Sequence, residues 1–297
     1  MRTEKWITEN ATSLAGKRVA VTGSTGGIGC ELCEHLASLG AELVLVDRNP
    51  DRSKALGDAL LKKYASLKVE YIKADMEDIA SVRSACDRLR ALRPYAVIFN
   101  AGAYSIPRHK CSTGYDNVFQ INFLSPYYMT RELLPTLREY GGRIVAVGSV
   151  AHNYSVSDVA DVDFSTRTKA SLVYGNAKRY LMFALHEFFR DEKDAHLAVT
   201  HPGITFTNIT AHYPKVIFAI IKHPMKVIFM KPRRACLSIL AGLFDSTGYH
   251  EWIGPCIFDV WGLPKKRKLS TCTAEESHRI FDTAEKIYDE IKKNNSF

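Results

Sequence analysis

The sequence lacks the features of a secreted, membrane-spanning or disordered protein. Its seven cysteines are odd in number and scattered, which argues against a disulfide framework and predicts reduced thiols in a cytoplasmic protein. Residues 1–16 carry charged side chains and no apolar run, so we expect no signal peptide there. Repeats and low-complexity tracts are also missing. What remains is a globular composition, with 46% hydrophobic and 24% charged residues.

The cysteine spacing also gives no indication of a metal centre. Cys30 and Cys33 form a Cys-x-x-Cys pair, but the two residues between them have the pattern of the middle of a helix. No second pair follows at the spacing of a zinc site. We therefore interpret both as buried structural thiols and predict no metal site, with a redox or metal role as the alternative.

The net charge of +8 raises the question of a nucleic acid or an anionic membrane as partner. The one dense basic run is Lys265–Lys268, which follows a Trp-Gly-Leu-Pro sequence. We interpret this run as a solvated loop, with a docking patch as the alternative. We accordingly predict no nucleic-acid partner.

Short β-branched runs alternate with amphipathic stretches along most of the chain, which predicts an α/β fold with a doubly wound parallel sheet. The predicted strands are Arg18–Thr22, Glu42–Val46, Val69–Lys73, Ala96–Phe99, Arg143–Val147, His196–Thr200 and an edge strand at Phe258–Val260. The predicted helices are Ile28–Leu39, Arg52–Tyr64, Met76–Leu92, Tyr115–Tyr140, Ser171–Glu192, Arg233–Phe244 and a C-terminal helix at 274–292. No linker divides the chain, so we expect one domain over 1–297, with its core at 16–262.

The stretch Tyr213–Met230 is the most apolar part of the chain, and it also holds three lysines, one histidine and two prolines. Its longest apolar run, Val216–Ile221, is too short to span a bilayer. We predict that residues 208–232 form a flap over an apolar substrate pocket. An interfacial membrane anchor and a buried subunit contact are the alternatives.

A glycine-rich sequence, TGSTGGIG, follows the first predicted strand and runs directly into a helix. Gly23, Gly27 and Gly29 lack a Cβ, so the turn can tighten and bring its amides to a pyrophosphate at the helix N-terminus. The spacing is Gly-x-x-x-Gly-x-Gly, which differs from the general dinucleotide fingerprint. The position between strand and helix nevertheless predicts a nucleotide-binding loop.

Two adjacent residues give opposite indications for the coenzyme. Asp47 closes the second predicted strand, where a carboxylate can accept hydrogen bonds from an adenosine ribose and repel a 2′-phosphate. Arg48 follows it, and a guanidinium can bind that phosphate. Because Gly26 puts no basic residue in the loop, we favour NAD, with NADP possible.

The spacing Tyr-x-x-x-Lys occurs three times in the chain, so it is weak evidence when taken alone. The pairs are Tyr64 with Lys68, Tyr174 with Lys178, and Tyr288 with Lys292. Tyrosine and lysine four residues apart on a helix share one face, where the ammonium can stabilise a phenolate. Only the second pair has a serine, Ser149, after the preceding strand. We interpret Tyr288 and Lys292 as an exposed helical pair.

Taken in order, these motifs resemble the short-chain dehydrogenase/reductase family over residues 16–262. The matching blocks are TGSTGGIG, Asp75, Asn100-Ala101-Gly102, Asn122, Ser149, Tyr174 with Lys178, and His201-Pro202-Gly203. The resemblance implies a single Rossmann-type domain with ligands at the C-terminal ends of the strands. The C-terminal helix would be an extension of that domain.

The resemblance also implies a role for each residue. Tyr174 would be the general acid or base, and Lys178 would lower its pKa and hold the nicotinamide ribose. Ser149 would bind the substrate oxygen, and Asn122 would hold a water of a proton relay. The residues implied to contact the dinucleotide are Gly23, Ser24, Thr25, Gly27, Ile28, Gly29, Asp47, Arg48, Asp75, Met76, Asn100, Ala101, Gly102, Tyr174, Lys178, Pro202, Gly203, Ile204 and Thr207.

The chain departs from the usual family pattern in a few places. Phe99 and Gly148 stand where Asn and Ser are common, and we expect both to affect packing rather than chemistry. The gap between Ser149 and Tyr174 is longer than in the simplest members, and the insertion resembles that of retinol-dehydrogenase-like members and their bacterial relatives. It would form part of the pocket rim. We expect His152 to pack within this loop rather than to act in catalysis.

The resemblance implies an NAD(P)-dependent oxidoreductase that interconverts an alcohol and a ketone or aldehyde. The apolar flap favours a lipophilic substrate, such as a steroid, a retinoid or a long-chain carbonyl. The alternative is a catalytically silent NAD(P)-binding sensor or scaffold; an extended-branch epimerase is disfavoured by the glycine spacing. The helices Tyr115–Tyr140 and Ser171–Glu192 would pair in a homodimer or homotetramer. Peripheral membrane contact is possible but not favoured.

Overall fold

The structure is a computed structural model that describes residues 3–205 and 230–294. Its strands are β1 (Arg18–Thr22), β2 (Glu42–Asp47), β3 (Val69–Lys73), β4 (Ala96–Phe99), β5 (Arg143–Val147), β6 (His196–Thr200), β7 (Glu251–Ile257) and β8 (Trp261–Lys268). The predicted β1 and β3–β6 are confirmed to the residue, and β2 is one residue longer. Thr207 and residues 208–229 of the predicted flap lie outside the described residues.

Helices connect these strands. They are α1 (Thr3–Asn10), α2 (Gly27–Ser38), α3 (Pro50–Lys63), α4 (Ile79–Leu92), α5 (Asn117–Phe119), α6 (Ser125–Arg138), α7 (Ala170–Phe188), α8 (Pro232–Ala235), α9 (Leu237–Ala241) and α10 (Ala274–Asn294). A π-helical turn, Gln120–Leu124, joins α5 to α6, and a 3₁₀ turn, Val150–Tyr154, follows β5. The predicted helix from Met76 begins instead at Ile79, because the Asp78 side chain caps it by accepting from the Ala80 N–H.

The eight strands form one sheet in the order β3-β2-β1-β4-β5-β6-β7-β8. All neighbouring strands are parallel except β7 and β8, which form an antiparallel hairpin at the edge. The strand order reverses between β1 and β4. The loops that follow these two strands therefore lie side by side at the C-terminal edge of the sheet. Ligands bind at such a switch point in doubly wound sheets, which confirms the predicted fold class.

Apolar side chains cover both faces of the sheet. Along β1, Val19 and Val21 belong to the cluster beneath α1, α2 and α9, whereas Ala20 belongs to the cluster beneath α4, α6 and α7. Every side chain of β5 is buried. Such runs without a polar face are typical of parallel strands covered by helices on both sides. The core therefore holds the strand ends rigidly where the site is built.

The edge of the sheet corrects two predictions. Phe258–Val260 is the turn of the β7–β8 hairpin rather than a strand, and Phe258 and Asp259 have φ of 50° and 55°. The basic run Lys265–Lys268 lies in β8 rather than in a loop. β7 was not predicted because it contains a glycine and a proline, which are unfavourable within strands. Charged side chains are common on an edge strand, because they oppose pairing with another chain.

The C-terminal helix is confirmed, but its burial differs from the prediction. α10 packs against α6 and α7, where Tyr127 donates to Glu285 at 2.5 Å and Arg131 to the same carboxylate at 2.6 Å. Tyr288, interpreted as exposed, is only 5% exposed and donates to Glu132 at 2.6 Å. α10 therefore covers part of the surface of the two helices that were predicted to pair between subunits.

Candidate active site

The glycine-rich turn after β1 is tightly packed. Gly23 has φ of 65°, and a Cβ on it would lie 2.8 Å from Ala101 Cα. A Cβ on Gly29 would lie 2.3 Å from the Gly23 carbonyl oxygen, so α2 could not begin this close to the turn with any other residue. Asn100 Nδ2 donates to the carbonyls of Thr22 and Gly23 at 3.1 and 2.9 Å. The turn is thus fixed from both sides, while Gly26 and Gly27 stay exposed for a ligand.

Asp47 lies beneath this turn and is 5% exposed. Its Oδ1 accepts from the Thr25 amide and the Thr25 hydroxyl, each at 3.2 Å. Its Oδ2 accepts from the hydroxyls of Ser24 and Ser53, the latter at 2.7 Å. A carboxylate offers about four acceptor positions, and all four are used. The carboxylate therefore fixes the cradle, and Arg48 beside it extends into solvent with Glu77 at 3.7 Å.

The loop after β3 is where the adenine edge was predicted to bind. Asp75 is half-buried, and its Oδ1 accepts from the Glu77 amide at 3.0 Å. The Met76 side chain is buried in the core, and its carbonyl accepts from Ser125 at 2.7 Å. Of these two residues, Asp75 is the one that presents a side chain at the edge of the sheet.

The predicted catalytic pair lies on α7, facing the end of β5. Lys178 is 3% exposed, and its Nζ donates to the Val147 carbonyl at 2.8 Å and lies 5.8 Å from the Tyr174 ring centroid. A Cβ on Gly175 would lie 2.3 Å from the Ala151 carbonyl oxygen. Only glycine allows the 3₁₀ turn after Ser149 to pack so closely on α7. This contact brings the serine to the tyrosine although 25 positions separate them.

Burial shifts the two pKa values in opposite directions. Burial lowers the pKa of Lys178 to about 7, because a low-dielectric environment disfavours the ammonium. Burial raises the pKa of Tyr174 to about 12, and a hydrogen bond with Ser149 opposes this rise. At neutral pH the phenol therefore holds its proton, while the lysine lies near its midpoint. Strongly shifted groups in contact at a sheet edge are typical of a catalytic site.

Ser149 begins the 3₁₀ turn, and its hydroxyl accepts from the Ala151 amide at 3.2 Å. Its carbonyl lies 2.6 Å from Nδ1 of His152, whose Nε2 lies 2.8 Å from the Thr271 hydroxyl. His152 is fully buried, and burial lowers its pKa to about 4. A neutral, hydrogen-bonded imidazole holds the serine backbone in place, in agreement with the predicted packing role.

Asn122 lies in the π-helical turn, a feature that often marks functional sites. Its Nδ2 donates to the carbonyls of Ala103 and Val118, both at 2.8 Å, and its Oδ1 accepts from the Ala103 amide at 3.3 Å. The Asn122 side chain is thus hydrogen-bonded to the backbone of Ala103, in the segment after β4. A Cβ on Gly102 would lie 2.9 Å from Asn122 Oδ1 and 3.8 Å from Lys178 Nζ. Asn122, Gly102 and Lys178 are therefore neighbours.

The segment after β6 closes the opposite side of the site. Gly203 has φ of 80°, and a Cβ on it would lie 2.6 Å from the Val260 carbonyl oxygen. His201 Nε2 lies 3.0 Å from the Asp259 carbonyl, and its ring stacks on Trp252 at 4.9 Å. Pro202 is buried and Ile204 half-buried. The turn of the β7–β8 hairpin thus supports this segment.

Side chains that the motifs did not identify form the rim. Tyr104 meets Tyr174 edge-to-face with ring centroids 5.3 Å apart. Within the insertion, a cleft of about 550 Å³ opens between apolar side chains and two arginines. Its lining includes Tyr154, Val156, Val159, Phe164, Arg167, Leu172 and Arg279. Two of these lining residues, Phe164 and Leu172, also pack in the small apolar cluster that includes Tyr174.

A buried ion pair joins this rim to α10. Arg179 donates to Glu276 at 2.7 and 2.5 Å and also to the carbonyls of His152 and Thr271. Glu276 in turn accepts from the amide and hydroxyl of Ser157. The two partners are separated by almost a hundred positions and lie outside any motif. Arg179, which directly follows Lys178, gave no sign of this role in the sequence.

Comparisons with known proteins agree with this geometry. The sequence profile described as short chain dehydrogenase matches residues 17–161. The chain is 28% identical to an uncharacterized oxidoreductase of Schizosaccharomyces pombe, over 81% of this chain and 76% of that protein. It is also 28% identical to human polyprenol dehydrogenase, over 66% of this chain and 63% of that protein's length.

Among solved structures, a short-chain dehydrogenase from Sphingobium yanoikuyae in complex with NADPH is 26% identical, with a TM-score of 0.54. The match covers 66% of this chain and 73% of that one. In the described ranges no helix has the length and apolar character needed to cross a membrane. The profile, the relatives and the fold therefore all support the similarity to the short-chain dehydrogenase/reductase family that the motifs predicted.

Proposed function

We propose that this protein is an NAD(P)-dependent oxidoreductase that interconverts a lipophilic alcohol and its ketone or aldehyde, with Tyr174 as general acid and base. The observation that carries the proposal is the convergence of Ser149, Tyr174 and Lys178 at one sheet edge, beside the glycine cradle. The nicotinamide, when bound, supplies or accepts the hydride. The protein's own task is to hold the carbonyl oxygen and move a proton to or from it.

The protonation states suit this task in both directions. A Tyr174 phenol with a pKa of about 12 is protonated at neutral pH, which is the form that donates to a carbonyl oxygen during reduction. Oxidation needs the phenolate, and lowering that pKa to about 7 takes about 7 kcal/mol of stabilisation. Lys178, with a pKa of about 7, supplies part of this once it is protonated. Ser149 donates to the substrate oxygen as its negative charge develops.

The rim supports a lipophilic substrate. Tyr154, Val156 and Val159 are 58%, 69% and 66% exposed, although apolar side chains of this size usually contact other groups. They line the cleft that shares Phe164 and Leu172 with the apolar cluster around Tyr174, and an extended apolar chain can bury surface in it. The human relative, polyprenol dehydrogenase, is named for an apolar substrate, which supports the same substrate class here.

For the coenzyme we propose a preference for NAD. The buried Asp47 charge beneath the cradle disfavours the extra charge of a 2′-phosphate, and Glu77 partly offsets Arg48. Since all acceptor positions of Asp47 are used, we infer that it acts through its charge and not by binding ribose hydroxyls. NADP is the alternative, which the NADPH complex of the Sphingobium relative supports.

Asp47→Asn tests the preference, because it removes the charge and retains an acceptor oxygen. We expect the ratio of KM for NADP to KM for NAD to fall about tenfold, which corresponds to about 1.4 kcal/mol. Arg48→Gln, the neighbouring control, should raise the same ratio. A wild-type protein that prefers NADP, or a ratio that Asp47→Asn leaves unchanged, would contradict the assignment.

The function itself is tested by a screen of lipophilic alcohols and ketones, following NADH and NADPH absorbance with the wild-type protein. We expect turnover with long-chain or polycyclic substrates and little with short hydrophilic ones. Val156→Asp and Val159→Asp should raise KM for the apolar substrates and leave coenzyme binding unchanged. Tight NADH binding without turnover across the screen would favour the silent sensor or scaffold instead.

A further inference from the structure

A mixed set of metal-ligating side chains lies outside the catalytic residues. Among the residues that the structure describes, Glu77, His109 and Cys111 form the one set of three whose ligand atoms all lie within 4.8 Å of one another. His109 Nε2 lies 3.0 Å from Glu77 Oε2. We propose that this triad binds a zinc ion through one sulfur, one nitrogen and one carboxylate oxygen. The proposal goes beyond the oxidoreductase function and does not depend on it.

The backbone holds the three residues in a fixed arrangement. His109 and Cys111 are two positions apart in an extended segment, which places their side chains on one side of it. This segment pairs with the chain that follows, since the Cys111 amide donates to the Tyr115 carbonyl at 2.8 Å and the Asn117 amide to the His109 carbonyl at 3.0 Å. The two ligands therefore sit on a closed turn rather than on a free loop.

A single side chain connects this turn to the third ligand. Gln120 Nε2 donates to the Glu77 carbonyl at 2.6 Å, and its Oε1 accepts from the Thr113 hydroxyl within the turn. The Glu77 amide also donates to Asp75 at 3.0 Å. Both the amide and the carbonyl of Glu77 are therefore hydrogen-bonded. Zinc binding would draw the three ligand atoms, which lie within 4.8 Å of one another, to about 2.0–2.3 Å from the ion.

The ligand types and the local charge both favour zinc. Thiolate, imidazole and carboxylate together suit zinc better than the oxygen-preferring Mg²⁺ and Ca²⁺. The carboxylates of Glu77, Asp116 and Asp75 act electrostatically on the Cys111 thiol. A thiol surrounded by carboxylates lies in a negative potential that a divalent cation relieves. With three protein ligands, the fourth position of a tetrahedral site is left to water.

Zinc binding moves two protons. The Cys111 thiol loses its proton to solvent as the zinc–sulfur bond forms. If Nε2, which faces Glu77, binds the zinc, its proton moves to Nδ1. The Asn117 amide, whose Nδ2 lies 3.1 Å from Nδ1, must then turn its oxygen to that proton and give up its hydrogen bonds with the Pro107 carbonyl and the His109 amide. Glu77 gives up its pairing with Arg48, an exposed contact at 3.7 Å that contributes little. No oxidant or reductant is involved.

The sequence alone gave no indication of this site. The cysteine spacing suggested no metal centre, because Cys111 has no second cysteine near it and Glu77 follows a different strand. The triad arises only because the chain segments after β3 and β4 meet at the same edge of the sheet. The triad lies in the segments after β3 and β4, whereas Tyr174 and Lys178 lie on α7.

The test is a zinc titration of the metal-free full-length protein by calorimetry, with Co²⁺ as a spectroscopic probe of the sulfur ligand. We expect one saturable site and a thiolate-to-cobalt charge-transfer band. Cys111→Ser and His109→Ala should each weaken zinc at least about tenfold, and Cys111→Ser should abolish the band. Cys256→Ser, a control at an exposed cysteine outside the triad, should match the wild type.

Far-UV circular dichroism and Tm establish that each variant is folded, and the exposed His109 keeps the test valid if Cys111→Ser is unstable. The absence of a saturable site at micromolar zinc would overturn the proposal. So would unchanged affinity in both folded variants, or cobalt binding without the charge-transfer band. None of these readouts depends on turnover, so failure here is distinguishable from failure of the oxidoreductase function.

Discussion

Two helices of this protein carry tyrosine and lysine at the same spacing, yet they bury opposite members of the pair. On α7, Lys178 is 3% exposed and Tyr174 is half-buried at the mouth of the site. On α10, the side chain of Lys292 is 55% exposed and Tyr288 is 5% exposed. The spacing places each pair on one helical face but does not decide which member enters the core.

A carboxylate makes the difference in chemistry. Lys292 donates to Glu132 at 2.7 Å and to the Tyr288 hydroxyl at 2.9 Å, and these contacts raise the pKa of Lys292. Tyr288 itself donates to Glu132, so the negative charge there opposes phenolate formation. Lys178 instead donates to a neutral backbone carbonyl, and burial lowers its pKa. A lysine paired with a carboxylate stabilises a phenolate less, so of these two helices the electrostatics favour the pair on α7.

Removal of the two hydroxyl groups should give the largest contrast. Tyr174→Phe deletes the proton donor, so we expect kcat to fall about 10²–10⁴-fold with NADH affinity unchanged. Tyr288→Phe deletes only a hydrogen bond to Glu132, so we expect unchanged kcat and about 1 kcal/mol less stability. Steady-state kinetics, NADH titration and urea unfolding measure these effects. Wild-type turnover by Tyr174→Phe would show that the assigned acid is wrong.

The sequence predicted one side of this contrast and missed the other. The α7 pair could be predicted because its partners are encoded locally, at the ends of β4 and β5 and in the glycine cradle. The burial of Tyr288 could not, because Glu132 lies on α6, more than 150 positions away. The edge hairpin was missed for a related reason. Gly254 and Pro255 weaken the strand pattern of β7, and its pairing with β8 overrides that local preference.

Replacement of the two lysines gives the next largest contrast. Lys178→Met removes the charge that stabilises the phenolate, and we expect kcat to fall about 10²–10³-fold, as on loss of one preorganised electrostatic contact. Lys292→Met removes a largely exposed ion pair, which should cost no more than about 1 kcal/mol of stability. Alcohol oxidation should suffer more than carbonyl reduction, because oxidation requires the phenolate. Equal losses in both variants would contradict the electrostatic distinction.

The contribution of α10 to the site should come from its first turn rather than from its tyrosine and lysine. Glu276→Gln breaks the buried pair with Arg179, so we expect about 3–5 kcal/mol less stability. Glu275→Gln, next to it, affects only an exposed pair with Arg279 and should change stability by less than about 1 kcal/mol. Urea unfolding at neutral pH compares them. If Glu276→Gln were as stable as Glu275→Gln, the Arg179–Glu276 ion pair would not hold α10 against the rim.

The same pair predicts a pH dependence. Burial opposes the ionised form of Glu276, but hydrogen bonds from Arg179 and Ser157 outweigh it and lower the pKa to about 2. Because the folded pKa lies below the unfolded value of 4.5, the stabilisation is complete above pH 4.5 and is lost as the pH falls towards 2. The difference in unfolding free energy between wild type and Glu276→Gln should therefore shrink over this window. If that difference stayed constant between pH 4.5 and 2, the stabilisation by Glu276 would come from packing rather than from its charge.

The smallest effect should be in the titration of the two lysines themselves, measured by NMR on protein with labelled lysine Cε in the absence of coenzyme. The Lys178 resonance should titrate near pH 7, whereas that of Lys292 should stay in its charged form beyond pH 10.5. Since the unfolded chain binds the Lys178 proton up to pH 10.5 and the folded chain does not, stability relative to Lys178→Met should rise with pH between these values. If both lysines instead titrate above pH 10, burial does not distinguish them. The difference between the two Tyr-Lys pairs would then come only from the position of α7 beside Ser149.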